Sequence, residues 1–117
     1  MRKTVLIVDD HPSFRLMARA LLENEGYAVV GEAPDGASAV EQARALRPDI
    51  VLLDVQLPDM DGFAVAARLS ANGSVPAIVL TSSRDRSDFG SLIEESGARG
   101  FVAKAEISAE AIAALVE

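Results

Sequence analysis

Short apolar runs rich in β-branched residues alternate along this chain with longer amphipathic stretches, and this alternation constrains the fold more than any other feature. The predicted strands are TVLIV (4–8), YAVVGEA (27–33), IVLL (50–53), AIVL (77–80) and GFVA (100–103). The first, third and fourth runs are apolar almost throughout, as strands covered on both faces are. Strands that alternate with helices are typical of β-α units and a parallel sheet.

Apolar residues at helical spacing predict a helix after each strand. The stripes are Phe14, Met17, Ala18, Leu21 and Leu22 in the first helix, Ala39, Val40, Ala43 and Leu46 in the second, Val65, Ala66 and Leu69 in the third, Phe89, Leu92 and Ile93 in the fourth, and Ile107 to Val116 in the fifth. Pro12 suits a first helical turn, and Ser108 is a predicted N-cap. Turns are predicted at Asp35-Gly36, Pro48-Asp49 and Asn72-Gly73. Because crossovers between parallel strands are right-handed, we expect a doubly wound α/β sheet of five strands in the order 2-1-3-4-5.

The bulk composition limits the function classes. A chain of 117 residues suits one compact domain over 1–117. The net charge of -7 argues against nucleic-acid binding by this segment, because phosphate contacts need clustered Lys and Arg. The absence of cysteine excludes disulfides and thiolate metal sites. The N-terminal apolar run meets acidic residues too early for a signal peptide or a membrane span, so we expect a cytoplasmic protein without membrane contact.

Acidic residues follow two predicted strands that should be neighbours in the sheet. Asp9 and Asp10 end the first strand, and Asp54 ends the third. In the predicted strand order these ends meet at the topological switch point, where open α/β sheets bind ligands. Carboxylates so close repel each other unless a cation neutralises them, and oxygen ligands favour Mg²⁺, with Mn²⁺ as the alternative. The simpler interpretation is that Asp9 and Asp10 cap the helix that begins near Pro12.

Two further polar residues end strands at the same predicted edge. Thr81 ends the fourth strand and Lys104 ends the fifth. Each has an ordinary explanation, because Thr is a good strand residue and Lys usually reaches solvent. Together with a metal-bound carboxylate, however, a hydroxyl and an ammonium form a receptor for a tetrahedral dianion such as a phosphoryl group.

Four motifs, in this order and at this spacing, resemble the receiver domain of two-component response regulators over the whole chain. They are IVDD (7–10), LLDVQLPDMDG (52–62), VLTS (79–82) and GFVAK (100–104). The resemblance implies a flavodoxin-like (βα)5 fold with Asp54 as the phosphoacceptor. It also implies that Asp9, Asp10, Asp54 and the backbone carbonyl of Gln56 hold Mg²⁺.

The same resemblance implies roles for three residues on the last two strands. Thr81 and Lys104 are similar to the hydroxyl and the ammonium that sense the phosphoryl group, and Phe101 is similar to the aromatic switch residue. Ala105 stands where the commonest family pattern has Pro, and a trans peptide is the default before a residue other than proline. If Asp54 keeps an ordinary pKa, it is ionised at neutral pH and needs no general base.

The implied function is a phosphorylation-activated signalling switch rather than a turnover enzyme. Its phosphoryl donor would be the phosphohistidine of a sensor histidine kinase or a phosphotransfer protein. Its conformational output would use the face of the fourth helix, fifth strand and fifth helix. The stretch DDHPSFR (9–15) is similar to receivers of the NarL/FixJ type, which usually precede a helix-turn-helix domain. Regulation of transcription is therefore expected through a DNA-binding domain absent from this chain, and a phosphorylation-dependent homodimer is an open prediction.

Other interpretations of these residues fit less well. The stretch DMDG (59–62) lacks the acids that a calcium loop needs at Leu57 and Arg68, so Asp59 and Asp61 are expected to serve a turn and the start of the third helix. A phosphatase with an aspartyl-phosphate intermediate would carry a second acid at Gln56. A flavin protein would want a Ser/Thr-rich phosphate loop after the first strand. His11 is expected to be exposed and non-catalytic, and a metal-dependent hydrolase of external phosphate esters stays the alternative function.

Overall fold

Five parallel strands form one sheet in the computed structural model, which describes residues 2–71 and 76–116. The strands are β1 (Thr4–Val8), β2 (Ala28–Ala33), β3 (Ile50–Asp54), β4 (Ala77–Ser82) and β5 (Gly100–Ala103). Their order is β2-β1-β3-β4-β5, so the predicted fold class and strand order are confirmed. The predicted turn at Asn72-Gly73 lies outside the described residues.

Helices follow the strands where the apolar stripes predicted them. They are α1 (Pro12–Asn24), α2 (Gly36–Leu46), α3 (Gly62–Ser70), α4 (Leu92–Glu95) and α5 (Ala109–Val116). The first begins at Pro12, as predicted, because proline lacks the N–H that a helix start would leave unpaired. Asp35 and Asp61 cap α2 and α3 by accepting the N–H groups of Ser38 and Ala64. The Ser108 hydroxyl likewise accepts the Ala111 N–H in front of α5, so that predicted cap is also confirmed.

The fourth helix is shorter than predicted. The apolar stripe through Phe89, Leu92 and Ile93 indicated one helix, but a 3-10 turn at Arg86–Phe89 precedes α4 and is separated from it. Gly90 lies between the two with φ of 56°, in the left-handed region that a continuous α-helix cannot contain. The stripe prediction was right about the burial of Phe89 and Ile93, but it was wrong about Leu92, which is 50% exposed, and wrong about the continuity of the helix.

The sheet separates two apolar layers, and successive residues of each central strand face opposite layers. In β1, Leu6 and Val8 face the layer covered by α2 and α3, whereas Val5 and Ile7 face the layer covered by α1 and α5. All four are fully buried, as the continuous apolar runs of the sequence predicted. Because both faces of the sheet are covered by apolar side chains, polar functional groups can lie only at the ends of the central strands.

Asp59 ties the loop after β3 to a neighbouring helix. Its carboxylate accepts the N–H groups of Gly36 and Ala37 at 2.8 and 2.9 Å, so it serves the start of α2 rather than the start of α3. These bonds lower the pKa of Asp59, the bond from Gly36 most of all. Within the described part of the chain, no helix is both long and apolar enough to cross a membrane.

Candidate phosphoryl-acceptor site

The sheet brings two buried carboxylates to one edge. Asp54 is the last residue of β3 and Asp9 directly follows β1, and these two strands pair with each other. Asp9 is fully buried and Asp54 is 3% exposed. One ligand atom from each of Asp9, Asp10, His11 and Asp54 lies within 4.8 Å of the others. The structure therefore gathers the predicted acidic residues at the switch point of the sheet.

Backbone contacts fix the orientation of Asp54. The N–H of Gln56 donates to Asp54 Oδ1 at 3.0 Å, which turns the loop after β3 back over the carboxylate. Gly62 closes this loop by donating its N–H to the carbonyl of Val55 at 2.6 Å. A Cβ at Gly62 would lie 2.8 Å from Val55 Cα and closer still to the carbonyl oxygen of Asp54. Only glycine permits this approach, which explains the glycine eight residues after Asp54.

The Lys104 ammonium lies between the two buried carboxylates. Lys104 begins a 3-10 turn directly after β5, and its side chain reaches past the end of β4. Its Nζ lies 2.6 Å from Asp9 Oδ2 and 3.1 Å from Asp54 Oδ2. On another side the ring of Phe14 faces this ammonium, with its centroid 4.5 Å away. The Lys104–Ala105 peptide is trans, as expected.

Burial and charge shift the pKa values of these three groups. Burial is the largest influence on Asp54 and raises its pKa; the negative charge of Asp9 acts in the same direction, and together they outweigh the Gln56 N–H and Lys104, which act to lower that pKa. Burial also acts to raise the pKa of Asp9, but Lys104 and the His11 N–H outweigh it, so the pKa of Asp9 is lowered. Burial acts to lower the pKa of Lys104, but the two carboxylates outweigh it and raise that pKa. The assumption that Asp54 keeps an ordinary pKa is therefore wrong, because its pKa is raised.

The Thr81 hydroxyl is directed into the sheet. Thr81 pairs with Asp54 in the register of β3 and β4, as its place in the sequence suggested. Its Oγ1, however, donates to the carbonyl of Val102 on β5 at 2.7 Å, and the residue is fully buried. In this conformation the hydroxyl is hydrogen-bonded to Val102, and its convergence with Asp54 and Lys104 stays a prediction. The hydroxyl would have to leave Val102 before it could contact a group on Asp54.

Phe101 lies at the end of a row of aromatic rings. Its ring is 5.7 Å from that of Phe89, and Phe89 is 5.7 Å from Phe63, measured between centroids. Phe101 is half-buried, and beside it a groove of about 660 Å³ runs between the Arg86 segment, β5 and α5. The groove leaves space next to the ring on the face where the sequence predicted conformational output.

The sequence did not predict the contacts that two residues, His11 and Arg15, make at the site. His11 is exposed, as predicted, but its Nδ1 lies 3.0 Å from Asp9 Oδ1 and 3.1 Å from Asp10 Oδ1. Arg15 donates to the backbone carbonyl of Asp9 at 2.6 Å and pairs with Glu32 of β2 at 3.0 Å. The only available signal for the Arg15 contact was its place in the first turn of α1, six residues after Asp9.

The donor atoms at this edge fit a hard divalent cation. Asp9 Oδ2 is buried and accepts no well-aligned hydrogen bond from the described residues. Its charge is offset by the Lys104 ammonium, which lies 2.6 Å away. The carboxylates of Asp9, Asp10 and Asp54 supply the oxygen ligands that Mg²⁺ prefers. His11 occupies the N-cap position of α1 without a capping side chain, and Asp9 accepts the N–H of His11 at 2.8 Å rather than one from inside the helix.

Comparison with known proteins agrees with this geometry. The family model described as the response regulator receiver domain matches residues 5–117. The chain belongs to this family. Its members are signalling switches rather than turnover enzymes, they bind Mg²⁺ at an acidic pocket, and they interact with histidine kinases or phosphotransfer proteins.

Similar proteins place this receiver among response regulators. It is 40% identical over 106 residues to the positive transcription regulator BvgA of Bordetella pertussis, covering 91% of this chain and 51% of that protein. It is 44% identical over 106 residues to the DNA-binding response regulator MtrA of Mycolicibacterium smegmatis, covering 89% and 45%. The receiver domain of the response regulator NarL from Mycobacterium tuberculosis superposes with a TM-score of 0.85 at 36% identity, covering 97% and 96%. The chain spans about half the length of the curated relatives that it matches.

Proposed function

We propose that this receiver accepts a phosphoryl group on Asp54 from the phosphohistidine of a sensor histidine kinase or a phosphotransfer protein. The observation that carries the proposal is the setting of the Asp54 carboxylate. It is almost fully buried at the edge of the sheet, and its Oδ2 lies 3.1 Å from the Lys104 ammonium. A carboxylate ion held against a cation is a ready nucleophile, and the same cation offsets charge on the incoming group.

In the proposed transfer, a carboxylate oxygen of Asp54 attacks phosphorus while the bond from phosphorus to the donor nitrogen breaks. The imidazole leaves with the electron pair of that bond and takes up a proton. Lys104 offsets charge on the equatorial phosphoryl oxygens, because its Nζ is already within ion-pair distance of Asp54. Water later attacks phosphorus, releases inorganic phosphate and restores the carboxylate.

Asp9, Asp10, Asp54 and the backbone carbonyl of Gln56 would hold Mg²⁺ in this receiver, with Mn²⁺ as the alternative. The bound ion would supply further positive charge against the phosphoryl oxygens. Lys104 now contacts Asp9 at 2.6 Å, so we propose that its ammonium leaves Asp9 for the phosphoryl group.

Thr81 and Phe101 are the proposed switch. The Thr81 hydroxyl would exchange its bond to the Val102 carbonyl for one to the phosphoryl group, and Phe101 would rotate into the space beside β4. Packing alone would hold a phenylalanine there, because it has no phenolic hydroxyl. The groove beside Phe101 then changes shape on the face formed by α4, β5 and α5. Phosphorylation shifts this equilibrium only by its different affinity for the two states.

The proposed output is regulation of transcription through a DNA-binding domain. Relatives whose names describe transcription regulators or DNA-binding response regulators support it, and the chain matches about half of each. The net charge of -7 argues against DNA contact by the receiver itself. A phosphorylation-dependent homodimer remains part of the proposal.

The test is incubation with acetyl phosphate and Mg²⁺ followed by intact-protein and peptide mass spectrometry. We expect a stoichiometric gain of one phosphoryl group on the peptide that contains Asp54, and no gain in Asp54→Asn. Asp61→Asn is the matched control, because asparagine keeps the N-cap of α3 and the substitution removes a nearby carboxylate. Sustained turnover of unrelated phosphate esters, without a stoichiometric adduct, would contradict the proposal and favour a metal-dependent hydrolase.

A further inference from the structure

An aromatic ring on α1 completes the surroundings of the Lys104 ammonium. The ring of Phe14 has its centroid 4.5 Å from Lys104 Nζ, while the carboxylates of Asp9 and Asp54 approach the same nitrogen at 2.6 and 3.1 Å. The ammonium therefore has an anion on two sides and an aromatic face on a third.

We propose that Phe14 is a positioning residue that holds the Lys104 ammonium over Asp54. The inference rests on the proposed phosphoryl transfer and adds to it a residue outside the predicted site. Lysine has a flexible four-carbon stem, and its ammonium is strongly hydrated when solvent can reach it. The ring attracts the cation through its quadrupole and excludes water from one side, so it disfavours rotamers that point into solvent.

The helix fixes the ring in place. Phe14 lies in the first turn of α1, one and two turns before the buried residues Ala18 and Leu22 on the same helical face. It is half-buried and packs against the apolar layer between the sheet, α1 and α5. The ring is thus anchored by the core below it and presents a face to Lys104 at the strand edge.

Packing alone could explain a half-buried phenylalanine, so the test separates the ring from its bulk. Phe14→Leu removes the aromatic face and keeps an apolar side chain, whereas Phe14→Tyr keeps the face. Leu21→Ala is the control for lost packing, because Leu21 is also on α1 and half-buried against the same layer but has no described contact with Lys104.

The direct measurement is the chemical shift of the Lys104 side chain in lysine-labelled protein. The chain has two lysines, so Lys3 provides an internal reference in the same spectrum. We expect the Lys104 ε-methylene protons to be shifted upfield by the ring current in wild type, Phe14→Tyr and Leu21→Ala, and to lose that shift in Phe14→Leu. The proposal would be overturned if Phe14→Leu kept the upfield shift of the Lys104 ε-methylene protons. It would also be overturned if Phe14→Tyr lost that shift.

The functional measurement is the rate of Asp54 phosphorylation by acetyl phosphate. We expect Phe14→Leu to lower the rate roughly three- to tenfold, from the strength of a partly desolvated cation–π contact. Phe14→Tyr should restore most of the rate, and Leu21→Ala should stay near wild type. Equal losses in Phe14→Leu and Leu21→Ala would refute positioning and indicate general destabilisation. A wild-type chain that takes up no phosphoryl group would refute the proposed function, while the Lys104 signal still decides whether the ring holds the ammonium.

Discussion

Replacement of Thr81 by valine tests the hydrogen bond between the Thr81 hydroxyl and the Val102 carbonyl. Thr81 Oγ1 donates to the Val102 carbonyl at 2.7 Å, and both residues are buried. Valine has nearly the same shape, so the substitution removes the bond with little change in packing. A typical buried hydrogen bond contributes about 1 kcal/mol, and a buried carbonyl left without its partner costs about 1 to 3 kcal/mol. We therefore expect Thr81→Val to lower the free energy of unfolding by about 1 to 2 kcal/mol.

The assay is urea unfolding followed by circular dichroism, with the slope of the transition compared between variants. Thr81→Ser is the control, because it keeps the hydroxyl and loses only a methyl group. The carbonyl carbon shift of Val102 identifies the bond itself: it should change in Thr81→Val and stay close to wild type in Thr81→Ser. A valine variant as stable as wild type, with an unchanged Val102 shift, would refute the reasoning.

Two further substitutions test how the site is supported. Gly62→Ala should lower the free energy of unfolding by about 1 to 3 kcal/mol in urea titrations, because the new Cβ would meet the backbone of Asp54 and Val55; a fully stable variant would show that the loop can relax. Glu32→Gln should lower the free energy of unfolding at pH 7, because it removes the ion pairs with Arg19 and Arg15 that lower the pKa of Glu32 below its ordinary 4.5. The Glu32 side chain is 30% exposed, so the expected loss is only about 0.5 to 1 kcal/mol. That stabilisation is complete above pH 4.5 and is lost as pH falls through the lowered pKa, so the two proteins should converge in acid, and a constant difference would contradict the ion pair.

Much of the fold follows from local patterns that the sequence states directly. The apolar runs of β1, β3 and β4 are rich in β-branched residues, and the structure buries all their residues except Thr4 and Ala77, which are partly exposed at the strand starts. Helix starts were predictable at Pro12 and Ser108, because capping depends on a few adjacent residues. The continuity of the fourth helix was not predictable, because a positive φ at Gly90 separates Phe89 from Ile93, and Leu92 between them is exposed.

The site was predictable as a set of strand ends but not as a set of contacts. The topology brings Asp9 and Asp54 together because parallel strands end at one edge. The Thr81 hydroxyl could donate to the Val102 carbonyl or toward Asp54, and the sequence does not show which bond is more stable. The ring of Phe14 reaches Lys104 across 90 residues, and the raised pKa of Asp54 depends on burial and on the charge of Asp9. Such contacts arise from tertiary packing, which local patterns do not encode.

The division of the interior by the sheet has a consequence for how this chain tolerates change. Neighbouring residues of one strand, such as Leu6 and Ile7, belong to separate compartments that share no apolar side chains. Substitutions in different compartments that lie more than about 10 Å apart should therefore change the free energy of unfolding additively, whereas paired substitutions within one compartment should deviate from additivity. Substitutions in the apolar layer beside α1 and α5 should therefore not require compensating substitutions in the layer that contains Phe89 and Phe101.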